Sequence, residues 1–176
     1  MDPLPIDLVN VTLTTAELRL NIVRWIIASA RKYFHTFSRY PMFYEHTGPK
    51  TLTLPNGRPI TEYTEFRLDG PYTQQITKRE THYEIEINVL CVTTVDQGNA
   101  DKIEDVLGSI HSIFSKGNFP VLRYGDSSID DESHIGCMLL RTDKREEVRV
   151  SRFGQANPDT RVLQASVEGH YQMRLF

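Results

Sequence analysis

Residues 81–93 read Thr-His-Tyr-Glu-Ile-Glu-Ile-Asn-Val-Leu-Cys-Val-Thr, and this stretch decides the fold. Apolar and polar side chains alternate along it, which is the pattern of a β-strand with one buried and one wet face. The apolar positions are Tyr83, Ile85, Ile87, Val89 and Cys91, and the polar ones are His82, Glu84, Glu86 and Asn88. A strand with one solvated face is typical of an antiparallel sheet. We therefore predict a mainly antiparallel sheet that contains this strand.

Two amphipathic helices are predicted, one on each side of this strand in the chain. The first begins at the capping-box pattern Thr14-Thr15-Ala16-Glu17 and runs to about Phe37. Its apolar arc is wider than one sheet face needs, so we expect this helix to contact two neighbours. The second helix follows a cap at residues 96–99 and ends before Gly117, a residue suited to a helix C-terminus. Its apolar stripe comprises Ile103, Val106, Leu107, Ile110, Ile113 and Phe114.

Further strands are predicted on both sides of the second helix. Residues 51–54 and 60–68 suggest a hairpin about Asn56-Gly57, and Gly70-Pro71 is expected to break the chain after it. The other predicted strands are residues 42–44, 121–124, 135–141, 148–153 and 162–175. The resulting fold class is α+β: a mainly antiparallel β-sheet with two main helices packed on one face and a projecting β-hairpin. We expect one domain over residues 1–176, with an extended arm at 1–13 and the projecting hairpin and loop at 46–80.

Composition excludes several classes of protein. The chain has 176 residues, 39% of them hydrophobic and 24% charged, which is ordinary for a folded protein and wrong for a disordered one. A net charge of −3 disfavours nucleic-acid binding through bulk electrostatics. Neither a signal peptide nor a run of roughly 18 apolar residues is apparent, so we expect synthesis and first residence in a cytoplasm. Cys91 and Cys137 are too few for a disulfide framework or a zinc site.

Catalytic chemistry leaves no recognisable motif in the sequence. No nucleophile motif or phosphate-binding glycine loop is found, so we expect no catalytic residues, no cofactor and no enzyme activity. The histidines are not spaced as helical metal ligands, and we expect no metal site. They are His35, His46, His82, His111, His134 and His170. Glu84 and Glu86 share the wet face of one strand, where we interpret them as its polar half unless a cleft separates their pKa values.

An acidic segment at residues 126–132 begins like a calcium-binding loop. It has Asp131 where the required glycine would stand and Cys137 where the bidentate glutamate would stand. We therefore interpret it as a solvated acidic turn. In a ring-forming protein, its residues Asp130, Asp131 and Glu132 would instead contact a basic surface of a partner.

Basic and aromatic side chains occur together in the central loop region, at Arg58, Tyr63, Tyr72, Lys78 and Arg79. Such a mixture can bind single-stranded nucleic acid. Glutamates interspersed among them weaken the positive field, which favours a protein–protein contact, where tyrosine and arginine are common.

The order of these elements resembles the tail terminator (tail completion) proteins of tailed bacteriophages over residues 14–176. The resemblance lies in the N-terminal helix, the hairpin, the strand Tyr83-Glu84-Ile85-Glu86-Ile87-Asn88-Val89, the helix Asp101-Lys102-Ile103-Glu104-Asp105-Val106-Leu107 and the closing C-terminal strand. It implies a ring of identical subunits, usually a hexamer, at the head-proximal end of the tail, which stops tail-tube polymerisation and joins tail to head. The implied partners are the tail tube protein and a head–tail adaptor or stopper, with DNA passing through the lumen without specific binding.

The resemblance also implies a place in the virion neck, after assembly in the host cytoplasm. The wet face at Glu84 and Glu86 then becomes a candidate lumen or inter-subunit surface, whose apolar end at Leu90 and Val92 needs cover. Two alternatives stay open. The chain is another neck component, such as a stopper or adaptor, or it is an unrelated small-ligand-binding or enzymatic α+β domain.

Overall fold

Two helices and a strand-rich mixed sheet make up the α+β fold in a computed structural model of the chain. It describes residues 15–45, 56–57, 60–77, 80–94, 101–124, 129–141, 148–157 and 160–175. The helices are α1 (Thr15–Phe37) and α2 (Lys102–Phe114). The strands are β1 (Met42–Tyr44), β2 (Glu62–Thr77), β3 (Glu80–Thr94), β4 (Asn118–Tyr124), β5 (Ile129–Leu140), β6 (Val148–Asn157) and β7 (Thr160–Leu175). Neither described helix is long and apolar enough to cross a membrane.

The C-terminal strand β7 lies at the centre of the sheet, whose order is β1-β2-β3-β7-β5-β4. Strand β3 pairs with β7 along one edge, over residues 162–172 of β7. Along the other edge β6 pairs with residues 160–169 and β5 with residues 171–175. These pairings are antiparallel, as are β2 with β3 and β4 with β5, whereas β1 pairs with β2 in parallel. The sheet is therefore mixed.

Strand β3 has the alternation that its sequence predicts. Up to Cys91 its buried side chains are Tyr83, Ile85, Ile87, Val89 and Cys91, and the side chains between them are only partly buried. The alternation ends there, because Val92 and Thr93 are buried as well. The register places Val89 between Phe66 of β2 and Val167 of β7, so the buried face of β3 continues across both neighbours. Burial of apolar surface on this face supplies the main driving force for folding.

Both helices contribute to the same hydrophobic cluster as this buried sheet face. Ile26, Ala30 and Phe34 of α1 are fully buried. The six-residue stripe predicted for α2 is buried along its whole length. The Ser29 hydroxyl of α1 accepts a 2.9 Å hydrogen bond from the Leu122 N–H, which ties that helix to β4. The period of α2 in the sequence thus identified the residues of that helix that face the core.

The predicted break at Gly70-Pro71 is wrong, because β2 continues through it to Thr77. The register between β2 and β3 shifts between Asp69 and Tyr72, so the two intervening residues are accommodated as an irregularity within the strand. Gly70 has a φ of +105°, which favours glycine. Proline lacks an N–H for the ladder and is tolerated where regular pairing is interrupted.

The predicted hairpin of residues 51–54 with 60–68 differs from the observed pairing. Residues 64–66 of β2 have β1 on one edge and β3 on the other, which leaves no free edge there. The arm at 51–54 lies outside the described residues. Gly57 does have the positive φ that the predicted turn requires, at +79°. Within the described part, consecutive strands pair as hairpins in three places: β2 with β3, β4 with β5 and β6 with β7.

Two boundaries also differ from those expected. Strand β5 begins at Ile129, so Asp130, Asp131 and Glu132 lie in a strand and not in an acidic turn. Pairing of Tyr124 with Ile129 supplies backbone partners at that point, which side-chain composition alone does not reveal. The predicted cap of α2 at 96–99 lies outside the described residues. Asp101 occupies the N-cap position without a side-chain capping hydrogen bond.

Candidate functional site

The sheet face opposite the helices carries the residues of greatest functional interest, and we call it the polar sheet face. It presents the even-numbered side chains of β3 and their neighbours on β2 and β7. The register places Asp69, Glu86 and His170 side by side across these three strands. Since both described helices pack against the other face, these side chains are kept partly solvated and close together.

The structure brings together some of the predicted site residues and separates others. Glu84, Glu86 and Tyr72 line one cavity, and Tyr72 is 54% exposed. Tyr63 belongs to β2, at the other end of the face, where its ring contacts Phe43 at a centroid distance of 5.8 Å. The predicted residues Arg58, Lys78 and Arg79 lie outside the described residues. Asp130, Asp131 and Glu132 are placed only by their backbone in β5.

The apolar end of the polar sheet face is partly covered. Val92, opposite Tyr63 in the register, is 1% exposed, whereas Leu90 is only partly buried. Val92 is therefore already covered within the chain, whereas Leu90 still has exposed apolar surface that another element or subunit would bury.

Glu84 is held in an ion pair with Arg141, a residue for which the sequence analysis assigned no role. The Arg141 Nη1 donates to the Glu84 Oε1 at 2.8 Å. The backbone N–H of Arg141 donates to the His170 carbonyl at 2.9 Å, which fixes the position of Arg141 beside β7. Glu84 and Glu86 therefore have different environments, although they are neighbours on one strand.

Glu86 forms a cluster with Glu168 and His170. The His170 Nδ1 lies 3.6 Å from the Glu86 Oε2, and the Nε2 of the same ring lies 3.4 Å from the Glu168 Oε1. The pKa of Glu86 is raised, first because burial removes water from the carboxylate and second because the Glu168 charge is close. The nearby His170 side chain lowers the pKa of Glu86 and so partly offsets these two effects. This cluster concentrates negative charge that a proton or a cation would relieve.

A cavity of about 210 Å³ adjoins this cluster. Its lining residues are Tyr72, Glu84, Ile85, Glu86, Arg141, His170 and Tyr171. Sites for drug-sized ligands usually have volumes of about 300–1,000 Å³, so this cavity suits water molecules, an ion or a small polar group.

Glu168 and His170 could not be identified from the sequence, although both lie in the predicted strand 162–175. Their alternation with apolar residues indicated a polar face of β7. It gave no register between β7 and β3, and the register is what places His170 opposite Glu86.

Three potential nucleophiles among the described residues, Cys91, Cys137 and Ser115, have surroundings that do not activate them. The pKa of the Cys91 thiol is raised to about 12 by burial, and burial also raises the pKa of Cys137. The Ser115 hydroxyl lies 3.2 Å from the His111 Nδ1 on the exposed end of α2. Because it also donates to the His111 carbonyl at 2.9 Å, we interpret this contact as one that closes the last helical turn.

Apolar side chains are exposed in two other places. Phe37, at the end of α1, is 43% exposed and contacts the Tyr33 ring at 5.0 Å and the Lys116 amine at 4.4 Å, both measured to ring centroids. On β6, Phe153 is 58% exposed and Val150 is 37% exposed. Such side chains are common in protein–protein contacts.

Comparison with known proteins supports the fold and leaves the function open. No protein-family model matches the chain, and no curated protein matches it. A solved structure whose name states no function is similar over 87% of this chain and 96% of its own, with a TM-score of 0.51 and 13% sequence identity. At this identity the similarity shows the fold alone. The class that fold and surfaces define is an α+β protein with two helices and a strand-rich mixed sheet.

Proposed function

We propose that this chain is a structural subunit of a ring at the head-proximal end of a bacteriophage tail, where it ends tail-tube polymerisation and joins tail to head. The ring, a hexamer, contacts the tail tube protein on one side and a head–tail adaptor or stopper on the other. It is assembled in the host cytoplasm, becomes part of the virion neck, and has no enzyme activity.

The observation that carries this proposal is a two-stranded ribbon formed by the distal ends of β2 and β3. From Glu84 onward β3 is paired on both edges, whereas residues 80–83 pair with β2 alone among the described strands. We assign to this ribbon the role of the projecting hairpin expected at residues 46–80, with the buried Tyr83 side chain anchoring its base in the core. An isolated two-stranded ribbon is marginally stable in water, so a projecting one is suited to contact with another chain.

Apolar residues of α1 and β6 supply candidate contacts between neighbouring subunits. Ile22, Val23 and Trp25 are only partly buried in the single chain, as a helix with an over-wide apolar arc would be. Phe153 of β6 is exposed. A neighbour in the ring would cover such side chains, because burial of apolar and aromatic groups stabilises the centre of a subunit interface.

DNA passes through the lumen of the proposed ring without specific binding. The chain has a net charge of −3, and the polar sheet face carries Asp69, Glu86 and Glu168 in addition to Glu65 and Glu84, which pair with Arg67 and Arg141. An acidic surface does not neutralise phosphates or release their counterions, so DNA would slide past it. Glu84 and Glu86 thus remain candidates for the lumen or an inter-subunit surface.

The two alternative functions would use different features of the structure. Another neck component, such as a stopper or adaptor, would use the same ribbon against a different partner. A domain that binds a drug-sized ligand would use a pocket larger than the 210 Å³ cavity that described residues form beside Glu84.

Addition of this protein to polymerising tail tube protein from the same virus tests the proposal. We expect shorter tubes with one capped end, measured as a length distribution by electron microscopy. The matched control replaces residues 75–81 by Asn-Gly, a two-residue turn that closes the pair Gln74–His82; it should melt cooperatively like the full chain but leave tube length unaffected. Tubes of unchanged length in the presence of the full, folded chain would refute a role in termination.

A further inference from the structure

We propose that Glu86, Glu168 and His170 form a binding site for a divalent transition-metal ion, with Zn²⁺ the best-suited ion. This site goes beyond the structural role proposed above and does not depend on it. Two carboxylates and one imidazole are a donor set that Zn²⁺ accepts, whereas Mg²⁺ and Ca²⁺ prefer oxygen ligands alone.

The geometry of two paired strands brings the three donors together. Glu168 and His170 are two residues apart on β7 and therefore point to the same face, and Glu86 of β3 lies directly opposite His170. One donor atom from each side chain lies within 4.8 Å of the other two. Ligand atoms about 2.0–2.2 Å from a tetrahedral ion are separated by about 3.3–3.6 Å, so small side-chain rotations complete the site.

The charges around the cluster favour a bound cation. Asp69 of β2 lies opposite Glu86 in the register and adds a third carboxylate nearby. Arg141, the cation that lines the adjoining cavity, is held by Glu84 at 2.8 Å. Arg149 lies opposite Glu168 on β6, across β7 from Glu86. A cation bound between Glu86 and Glu168 would offset the repulsion between these two carboxylates.

The cavity beside the cluster gives solvent access to two of the three donors. It reaches Glu86 and His170, and its volume of about 210 Å³ accommodates several water molecules. Three protein donors with adjacent water are the usual arrangement of an open zinc site, in which solvent completes the coordination shell. The donors also lie on adjacent strands at the centre of the sheet, a rigid setting that lowers the cost of ordering them.

Calorimetric titration of the chelator-treated full chain with zinc chloride at neutral pH tests the site. We expect one ion per chain with a dissociation constant in the micromolar range, and at least a tenfold weaker affinity for Glu86→Gln and for His170→Gln. Magnesium chloride should give weaker binding than zinc chloride. The matched control is Glu65→Gln, which removes a carboxylate from the same sheet face, where Glu65 pairs with Arg67 at 2.9 Å. It should bind Zn²⁺ as the unmodified chain does.

A thermal melt of each variant without metal establishes that it folds, and zinc should then raise the melting temperature of the unmodified chain and of Glu65→Gln only. His170→Gln decides the matter if Glu86→Gln does not fold. Binding too weak to saturate at millimolar zinc, or equal affinity in the cluster variants and the control, would overturn the assignment. Ring formation is measured separately in the presence of chelator, so failure of the metal site leaves the proposed function unaffected.

Discussion

Replacement of Phe34 by alanine is expected to lower the free energy of unfolding by about 3–5 kcal/mol. Phe34 is fully buried where α1, α2 and the sheet meet. Its ring centroid lies 4.9 Å from that of Phe114 on α2 and 5.3 Å from that of Phe66 on β2. The substitution removes these contacts and leaves a cavity between rigid elements that cannot close completely. Urea denaturation followed by circular dichroism measures the loss.

Phe37→Ala is the matched control for this prediction, because Phe37 lies one turn further along the same helix and is 43% exposed. Its aromatic contact with Tyr33 and its contact with the Lys116 amine together contribute about 1–2 kcal/mol, less than the loss expected at Phe34. A loss of similar size for both variants would contradict the position assigned to Phe34.

Replacement of Gly169 by alanine is expected to lower the free energy of unfolding by about 1–3 kcal/mol. A Cβ at this position of β7 would lie 2.7 Å from two ring carbons of Phe114 and 3.2 Å from a Leu140 methyl carbon. The Phe114 ring cannot move away freely, because it is fully buried against the rings of Phe34 and Tyr171. Position 169 of β7 therefore requires glycine, because the Phe114 ring of α2 packs directly against it. Elsewhere in a strand glycine is usually destabilising.

Gly108→Ala is the same chemical change on the exposed side of α2, where nothing lies within 4 Å of the added carbon. Alanine is the better helix former, so this variant should gain about 0.5–1 kcal/mol. Thermal and urea melts of the two variants give shifts of opposite sign if the packing is as described. A Gly169→Ala protein as stable as the unmodified chain would show that Phe114 does not pack over this residue.

Local patterns predicted much of the secondary structure. Strand β3 and helix α2 were placed within a few residues, and their buried positions were identified, because each buries one face and therefore shows a clear period of two or 3.6 residues. Strand β1 was predicted with its observed bounds. In these elements the solvation of side chains and the geometry of the backbone favour the same structure.

The sequence patterns did not predict how strands distant in the chain pair with one another. The continuation of β2 past Gly70-Pro71 depends on β3, which supplies hydrogen-bond partners on both sides of the irregularity. The cluster of Glu86, Glu168 and His170 depends on the register between strands about 80 residues apart. The need for Gly169 depends on a ring from α2. Each is a consequence of tertiary contacts, which single-sequence periodicity does not encode.

The oligomeric state in solution tests the central claim, a ring of identical subunits, most directly. Size-exclusion chromatography with multi-angle light scattering, over a wide range of protein concentrations, measures the molar mass of the species that the chain forms. A ring predicts a discrete assembly, for a hexamer at six times the 20.3 kDa of one chain. A mass of 20.3 kDa at every concentration would contradict the claim.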